Sequence, residues 1–232
     1  MSHPEIEVWR NHEREFRIYP DRFYKRSFRP DEYQLDIQNK PYVPPLGPER
    51  IRNEAACLQF IRQTTNIPVP DVLEAYEEDG SFVLVTRLLS GVQMSKLPSE
   101  DQAVVMKEVD SYLQILRKLQ SNHIGGPSGI VCPPQRATQY FPKDTVWSIS
   151  TTPETDLVFC HCDLSQSNII VDPITLKIEG IIDWEYGGYW PAFFETPYFR
   201  DPRPSGAQFR TRSENNQLVD FLRNGMSKSK VT

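Results

Sequence analysis

The sequence has 232 residues, with 26 lysines and arginines against 31 aspartates and glutamates, which gives a formal net charge of −5. This acidic balance argues against a nucleic-acid-binding protein, because such proteins usually carry a basic excess or a basic stripe. The charged fraction of 25% and the apolar fraction of 38% are typical of a folded globular chain. No apolar run reaches the ~18 residues that cross a bilayer, and the charged residues 1–20 lack the apolar stretch of a signal peptide. We therefore expect a cytoplasmic protein that enters no membrane.

The four cysteines do not form the pattern of a disulfide framework, as expected for a reducing compartment. The run Cys160-His161-Cys162 suggests a zinc site, but structural zinc sites usually need a second pair of ligands. The other two cysteines, Cys57 and Cys132, stand alone in the sequence. Small buried thiols at the end of a strand are the favoured interpretation.

Residues 1–90 combine strands with one helix. Residues 16–29 alternate aromatic and polar side chains, which predicts one or two half-buried strands. A helix is predicted from Pro48, a residue type suited to a first helical turn. Its apolar positions recur at steps of three and four and would share one face: Ile51, Ala55, Leu58 and Ile61. Residues 81–91, SFVLVTRLLSG, predict a buried strand that leads into a linker at glycine.

The rest of the chain predicts a long helix followed by short strands. Residues 97–122 form the clearest helix, with Ser99 and Gln102 in a capping-box pattern and an apolar stripe along one face. Three strands are predicted at 156–161, 168–172 and 176–184, and a further helix at 213–225. This order is typical of an α+β fold that divides near Gly91, into regions 1–90 and 91–232.

The octet HCDLSQSN, residues 161–168, concentrates polar groups between two of the predicted strands. Asp163 follows the first strand, Asn168 precedes the second, and Asp183 ends the third after an apolar run. Phosphoryl transfer needs such a set, namely a carboxylate that orients or accepts the proton of a hydroxyl and oxygen ligands for magnesium ions. Taken alone, Asp163 and Asn168 are also typical of turn residues that satisfy their own backbone.

The octet resembles the H-x-D-x-x-x-x-N catalytic loop of the protein-kinase-like superfamily. Together with IIDWE at 181–185, it is similar to the aminoglycoside phosphotransferase and choline kinase branch, in which the metal-binding aspartate lies in an Ile-Asp-Trp-Glu setting. The resemblance spans about Lys25 to Trp190 and includes fungal members of that branch. It implies a two-lobed α+β fold, with a small β-rich N-lobe over 1–90 and a larger, mainly helical C-lobe over 91–232 that carries a catalytic β-hairpin.

The resemblance also implies roles for individual residues. Asp163 would be the catalytic base in a loop that His161 braces, and Asn168 and Asp183 would be the magnesium ligands. The implied cofactors are ATP and Mg²⁺, and the implied acceptor is the hydroxyl of a small molecule. The implied nucleotide-binding residues are Lys25 on the α- and β-phosphates, its helix partner Glu54, and Arg87 and Leu89, whose backbone groups would bind adenine.

The chain departs from this family pattern before Lys25. Residues 1–24 contain no glycine, although a glycine-rich loop usually covers the phosphates, and few residues precede Lys25 for two strands. About fifty residues follow Asp183, where related enzymes place several helices around the acceptor. Two functions therefore stay open: a small-molecule kinase, and a catalytically weak nucleotide-binding or scaffold protein with the same fold.

The acceptor is not specified by the sequence. Three acidic residues of the second region, Glu185, Glu195 and Asp201, are candidates to attract a cationic acceptor such as an amino alcohol. They are equally consistent with a solvated surface, and a fold does not fix a substrate.

Overall fold

The computed structural model describes residues 7–148, 157–201, 203 and 212–225. Its first region is a five-stranded antiparallel sheet with the strand order β1-β2-β3-β5-β4. The strands are β1 (Glu7–Arg10), β2 (Arg14–Ile18), β3 (Arg22–Ser27), β4 (Val72–Glu78) and β5 (Ser81–Arg87). The strands predicted at 16–29 and 81–91 are therefore confirmed as β2 with β3, and as β5.

The expectation that too little chain precedes Lys25 for two strands is wrong. Lys25 lies in β3, and both β1 and β2 precede it because short turns at 11–13 and 19–21 reverse the chain. In the strand register, Trp9 lies opposite Phe16, and Phe16 lies opposite Lys25. The rings of Trp9 and Phe16 stack with their centroids 5.1 Å apart. Such cross-strand aromatic pairs stabilise antiparallel strands, which helps strands of four and five residues to form here.

Helix α1 (Gly47–Thr64) has Pro48 in its first turn, as predicted. The whole predicted face is buried: Ile51, Ala55, Leu58 and Ile61. Glu54 lies three positions after Ile51 and four before Leu58, so it shares this inward face. Since α1 packs against β3 and β5, the helix carries Glu54 toward Lys25.

The second region contains two small antiparallel sheets, with the orders β10-β9-β6 and β11-β8-β7. Its strands are β6 (Val92–Gln93), β7 (Gln120–Ser121), β8 (Leu157–Cys160), β9 (Ile169–Val171), β10 (Ile178–Ile181) and β11 (Gly188–Pro191). Its helices are α2 (Ser99–Leu116), α3 (Gln135–Thr138) and α4 (Arg212–Gly225). The three predicted strands are confirmed as β8, β9 and β10, and the predicted helix at 213–225 as α4. Residue 156 of the first predicted strand lies outside the described residues.

Helix α2 begins at the predicted residue, Ser99, but the predicted capping box does not form. Pro98 occupies the N-cap position, where no side chain makes a cap hydrogen bond. Instead, Nε2 of Gln102 donates to the carbonyl of Leu97 at 2.9 Å. This bond between Gln102 and Leu97 fixes how the chain enters the helix, in place of the predicted reciprocal cap between Ser99 and Gln102.

Gly91 lies where the chain passes from β5 to β6, between the two regions. Its φ is +114°, and an added Cβ would come within 2.4 Å of the carbonyl oxygen of Val171. Glycine is therefore needed for the close approach of this connection to β9. The division at 90/91 itself stays a prediction. The α+β architecture, with a β-rich first region and a second region that holds α2, α3, α4 and the β9–β10 hairpin, matches the predicted fold class.

Among the described segments, no helix has both the length and the apolar character needed to cross a bilayer.

Candidate active site

A cavity of about 930 Å³ lies between the five-stranded sheet and the β9–β10 hairpin. Its volume falls in the range of small-molecule and cofactor sites. The seven residues that the sequence analysis selected all line it: Lys25, Glu54, Arg87, Leu89, Asp163, Asn168 and Asp183. Folding thus brings together side chains as far apart in sequence as Lys25 and Asp183, which are separated by 158 positions.

His161 braces the loop that carries Asp163. The N–H of Asp163 donates to Nδ1 of His161 at 3.2 Å, and Nε2 of the same ring lies 2.9 Å from the carbonyl oxygen of Ile182. Because Nδ1 accepts a hydrogen bond, the network assigns the ring proton to Nε2, which donates to Ile182. Burial lowers the pKa of His161 to about 4, so the ring is neutral. The imidazole therefore joins the loop of Asp163 to the residue before Asp183.

Two charged side chains hold the backbone at Cys162, which precedes Asp163. Cys162 has a left-handed φ of +70°, a conformation that costs energy for a residue other than glycine. Oε2 of Glu195 accepts hydrogen bonds from the N–H groups of His161 and Cys162, the latter at 3.3 Å. From the other side, the Arg136 guanidinium donates to the carbonyl of Cys162. The backbone N–H and the backbone carbonyl of Cys162 are thus both satisfied by side chains.

The sequence analysis did not assign this role to Arg136 or to Glu195. Arg136 lies 26 positions before Cys162 and Glu195 lies 33 positions after it, so no local motif marks either residue. Glu195 was a candidate for an acceptor site or for a solvated surface; it contacts the backbone beneath the loop of Asp163 and does not line the cavity. Burial raises its pKa to about 7, although the two N–H groups act in the opposite direction.

Asp163 and Asn168 lie at opposite ends of the loop and are tied together. Nδ2 of Asn168 donates to the backbone carbonyl of Asp163 at 2.8 Å. This bond fixes the amide so that Oδ1 is the atom of Asn168 that can act as a metal ligand. Burial raises the pKa of Asp163 to about 8, and the negative charge of Asp183 acts in the same direction. A carboxylate with a pKa near the operating pH is suited to accept a proton.

Lys25 lies between two carboxylates. Its Nζ donates to Oε2 of Glu54 and to Oδ1 of Asp183, both at 2.6 Å. Although burial disfavours the ammonium, Asp183 and Glu54 hold the pKa of Lys25 above its ordinary value. Burial raises the pKa of Glu54 to about 7 against the attraction of Lys25. Burial acts the same way on Asp183, but the positive charges of Lys25 and Arg14 hold its pKa below the ordinary value. One ammonium between two carboxylates therefore favours an ionised Asp183.

Oxygen ligands for a metal converge beside Lys25. Glu54, Asp183 and Glu185 each offer one carboxylate oxygen, and these three atoms lie within 4.8 Å of one another. Asn168 lines the same cavity, and its Oδ1 with these carboxylates would make the hard oxygen set that magnesium prefers. Glu185 is a further candidate beside the predicted pair of ligands. The sequence could have indicated Glu185, because the motif IIDWE holds a second carboxylate two positions after Asp183.

The three acidic residues that were weighed as a cationic site or a solvated surface all have partners. Oε2 of Glu185, which lines the cavity, accepts a hydrogen bond from Arg14 and lies 3.8 Å from Nε of Arg50. Asp201 pairs with Arg203 at 2.6 Å, and Glu195 binds the backbone of His161 and Cys162. A cationic acceptor stays a prediction.

The two predicted hinge residues differ in what their backbone can offer. The N–H of Arg87 donates to the carbonyl of Asp71 at 2.8 Å, and its side chain approaches the Asp71 carboxylate at 3.3 Å. The N–H of Leu89, in contrast, has no hydrogen-bond partner within residues 7–148 and 157–201. Leu89 packs over Gly180, where an added Cβ would lie 2.4 Å from its Cδ1 atom. Leu89 is therefore the better placed of the two for a base in the cavity.

The turn between β1 and β2, residues 11–13, occupies the place where the family pattern has a glycine-rich loop. Oδ1 of Asn11 accepts hydrogen bonds from the N–H groups of Glu13 and Arg14, both at 2.8 Å. The Glu13 carboxylate in turn pairs with Arg50 and accepts a hydrogen bond from the Tyr42 hydroxyl at 3.2 Å. The turn is thus built from side-chain hydrogen bonds and ion pairs, and glycine is not needed to form it.

Comparison with known proteins places these features in a family. The sequence model of choline/ethanolamine kinases matches residues 85–200, which is half of the chain. A comparison with curated proteins finds no match. Among solved structures, aminoglycoside phosphotransferase APH(3'')-Id from Streptomyces rimosus is 16% identical, with a TM-score of 0.57 over 95% of this chain and 86% of that chain.

Two further solved structures have the same fold. Aminoglycoside-3'-phosphotransferase of type VIII is 16% identical, with a TM-score of 0.54 over 97% of this chain and 94% of that chain. Aminoglycoside phosphotransferase APH(4)-Ia is 14% identical, with a TM-score of 0.55 over 95% of this chain and 80% of that chain. These likenesses confirm the predicted two-lobed, protein-kinase-like fold. The chain belongs to the choline/ethanolamine kinase family.

Proposed function

We propose that this chain transfers the γ-phosphoryl group of ATP, with Mg²⁺, to a hydroxyl of a small molecule. The proposal rests on three features that line one cavity. They are Asp163, whose pKa is raised, the candidate metal-binding oxygens, and Lys25, which is paired to two carboxylates. A solved structure of similar fold supports the binding of a nucleotide together with a second small molecule. In it, a thermostable mutant of APH(4)-Ia forms a ternary complex with AMP-PNP and hygromycin B.

The nucleotide would lie between the sheet and the β9–β10 hairpin. The N–H of Leu89 would donate to adenine, and Phe16 and Phe23, which line the cavity from β2 and β3, would cover the nucleotide. Lys25 would bind the α- and β-phosphates, with Glu54 holding its ammonium in place. The oxygens of Asn168 and Asp183, joined by Glu185, would hold the metal.

The acceptor would react at Asp163. As the acceptor oxygen bonds to the γ-phosphorus, the bond from that phosphorus to the oxygen bridging it to the β-phosphate breaks, and ADP leaves. The hydroxyl proton passes to the Asp163 carboxylate, which His161 and the Cys162 peptide hold toward the cavity. When bound, Mg²⁺ supplies positive charge to the phosphate oxygens. Positioning and charge stabilisation account for most catalysis of this kind, so the rigid loop matters as much as the base itself.

A transfer assay against a panel of acceptors tests the proposal. The panel contains amino alcohols, sugars and aminoglycosides, with ATP or GTP as donor and with or without Mg²⁺. We expect ADP formation that requires both Mg²⁺ and one class of hydroxyl acceptor, and Asp163→Asn should reduce it roughly 10²–10⁴-fold. Normal turnover by Asp163→Asn would show that the base is wrongly assigned.

The rival function, a nucleotide-binding or scaffold protein with weak catalysis, rests on the absence of glycine from residues 1–24. It predicts ATP binding that Mg²⁺ strengthens, but no transfer to any acceptor of the panel. The same preparation of protein thus distinguishes the two functions.

A further inference from the structure

Two of the three backbone amides of the 11–13 turn are already engaged. The N–H of Glu13, like that of Arg14 at the start of β2, donates to Oδ1 of Asn11, and the N–H of Asn11 donates to the carbonyl of Arg14 at 3.0 Å. A glycine-rich loop serves phosphates by presenting several backbone N–H groups. In the part of the chain that the structure describes, the turn leaves only the N–H of His12 for this purpose, so the triphosphate of a nucleotide needs a further donor on this side of the cavity.

Arg14 is the donor that the fold offers. Alternate residues of a strand point to one face, and in β2 the residues that line the cavity are Arg14, Phe16 and Ile18. Arg14 is 4% exposed. Its guanidinium donates to Glu185, while its buried Nε has no hydrogen-bond partner among the described residues. A buried cation with an unused donor thus faces the same cavity as Lys25.

The present partners of the two cations are the proposed ligands of the metal. Lys25 contacts Asp183, and Arg14 contacts Glu185. If a metal takes the two carboxylates and a triphosphate takes the two cations, each charge exchanges one partner for another and none is left unpaired. Glu185 would also keep Arg50, whose Nε lies 3.8 Å from its Oε2.

We propose that Arg14 binds the phosphates of the nucleotide in place of a glycine-rich loop, and that it leaves Glu185 to do so. This inference rests on the proposed function, because it requires that a nucleoside triphosphate enters the cavity. Arginine suits the role, since its planar guanidinium presents several donors to phosphate oxygens and is always charged. The side chain of Arg14, at the start of β2, would thus supply the contact that a glycine-rich loop makes through its backbone.

Calorimetric titration with ATP and with adenosine tests the inference. Adenosine lacks the phosphates, so it reports the base site alone. We expect Arg14→Met to weaken ATP binding about 10–100-fold, the effect of one or two charge-assisted hydrogen bonds, and to leave adenosine binding unchanged. Arg14→Lys, which keeps the charge without the fork, should lie between Arg14→Met and the wild type. Glu185→Gln should tighten ATP binding in the absence of Mg²⁺, because it releases Arg14.

Arg17→Met is the matched control, since Arg17 lies in the same strand but does not line the cavity; it should bind ATP as the wild type does. Equal affinity of Arg14→Met and the wild type for ATP would overturn the inference and leave the proposed function intact. Loss of adenosine binding by Arg14→Met, in parallel with loss of ATP binding, would also overturn it by showing a purely structural role. If the wild type bound none of adenosine, ATP and GTP, that result would contradict the proposed function itself.

Discussion

The loop at 161–168, which carries the proposed base Asp163, and the turn at 11–13 both line the cavity, yet they are built in different ways. The loop has the residue types of its family at the expected spacing, and its polar atoms are tied to one another, as in the 2.8 Å bond from Asn168 to Asp163. The turn has none of the expected glycines. Long-range ion pairs hold it instead, since its Glu13 pairs with Arg50 across 37 positions and the next residue, Arg14 of β2, pairs with Glu185 across 171.

This difference between loop and turn shows which residues of the site the proposed reaction constrains. Proton transfer and metal binding need particular atoms at particular places, so the spacing of the chain predicts Asp163 as the base and Asn168 and Asp183 as the metal ligands. Covering a phosphate needs only hydrogen-bond donors, which a backbone or a guanidinium can supply. We therefore expect the turn to tolerate substitutions better than the loop does.

The largest effect that separates the two regions is expected from paired alanine substitutions. Glu195→Ala removes the acceptor for two backbone N–H groups of the catalytic loop, and should lower kcat roughly 10²-fold because a small displacement of the base is costly. It should also destabilise the fold by about 1–3 kcal/mol, since buried donors lose their partner. Glu13→Ala removes the partner of Arg50 in the turn and should mainly raise the KM for ATP. Steady-state kinetics measures both.

Glu195→Gln is the control for the loop. Its amide oxygen can still accept the N–H bonds of His161 and Cys162, so kcat should return to within a few-fold of the wild type. If Glu195→Ala changed KM alone, or if Glu13→Ala lowered kcat as strongly as Glu195→Ala, the proposed division of labour between loop and turn would be wrong.

A smaller effect concerns the pH dependence of stability at Glu195. Its pKa is raised from 4.5 to about 7 in the folded chain, so between these values the folded state binds more protons than the unfolded state. Stability must then fall as pH rises through this window. Gln at 195 does not titrate, so Glu195→Gln should gain about 3 kcal/mol relative to the wild type between pH 4.5 and pH 8. Urea denaturation at several pH values measures the difference, and a pH-independent or opposite difference would exclude a raised pKa at this residue.

Much of the fold could be predicted because its elements follow local patterns. The buried face of α1 and the strands β8, β9 and β10 were found from periodicity and composition. Strand β1 was missed because its four residues are all exposed, so no buried face marks it in the sequence. The capping box at Ser99 failed because Pro98 took the N-cap position and Gln102 found a backbone carbonyl.

The candidate site shows the same limit: residues that act through long-range contacts cannot be predicted from local sequence. Asp163, Asn168 and Asp183 lie in short motifs, whereas Arg14, Arg136 and Glu195 act through contacts between distant parts of the chain. Nothing in the residues next to Glu195 indicates that its carboxylate lies beneath Cys162, since tertiary packing alone brings them together. The same holds for Arg14, because nothing in the sequence indicates that Glu185 is its partner.

The most direct test of the central claim is a calorimetric titration of ATP with and without Mg²⁺, in the wild type and in Asp183→Asn. If Asp183, Asn168 and Glu185 hold a metal between the loop and the nucleotide, Mg²⁺ should tighten ATP binding to the wild type by about tenfold or more. Asp183→Asn should lose that gain, even if freeing Lys25 strengthens its binding of ATP alone. An ATP affinity of the wild type that Mg²⁺ leaves unchanged, or a full gain retained by Asp183→Asn, would contradict the account.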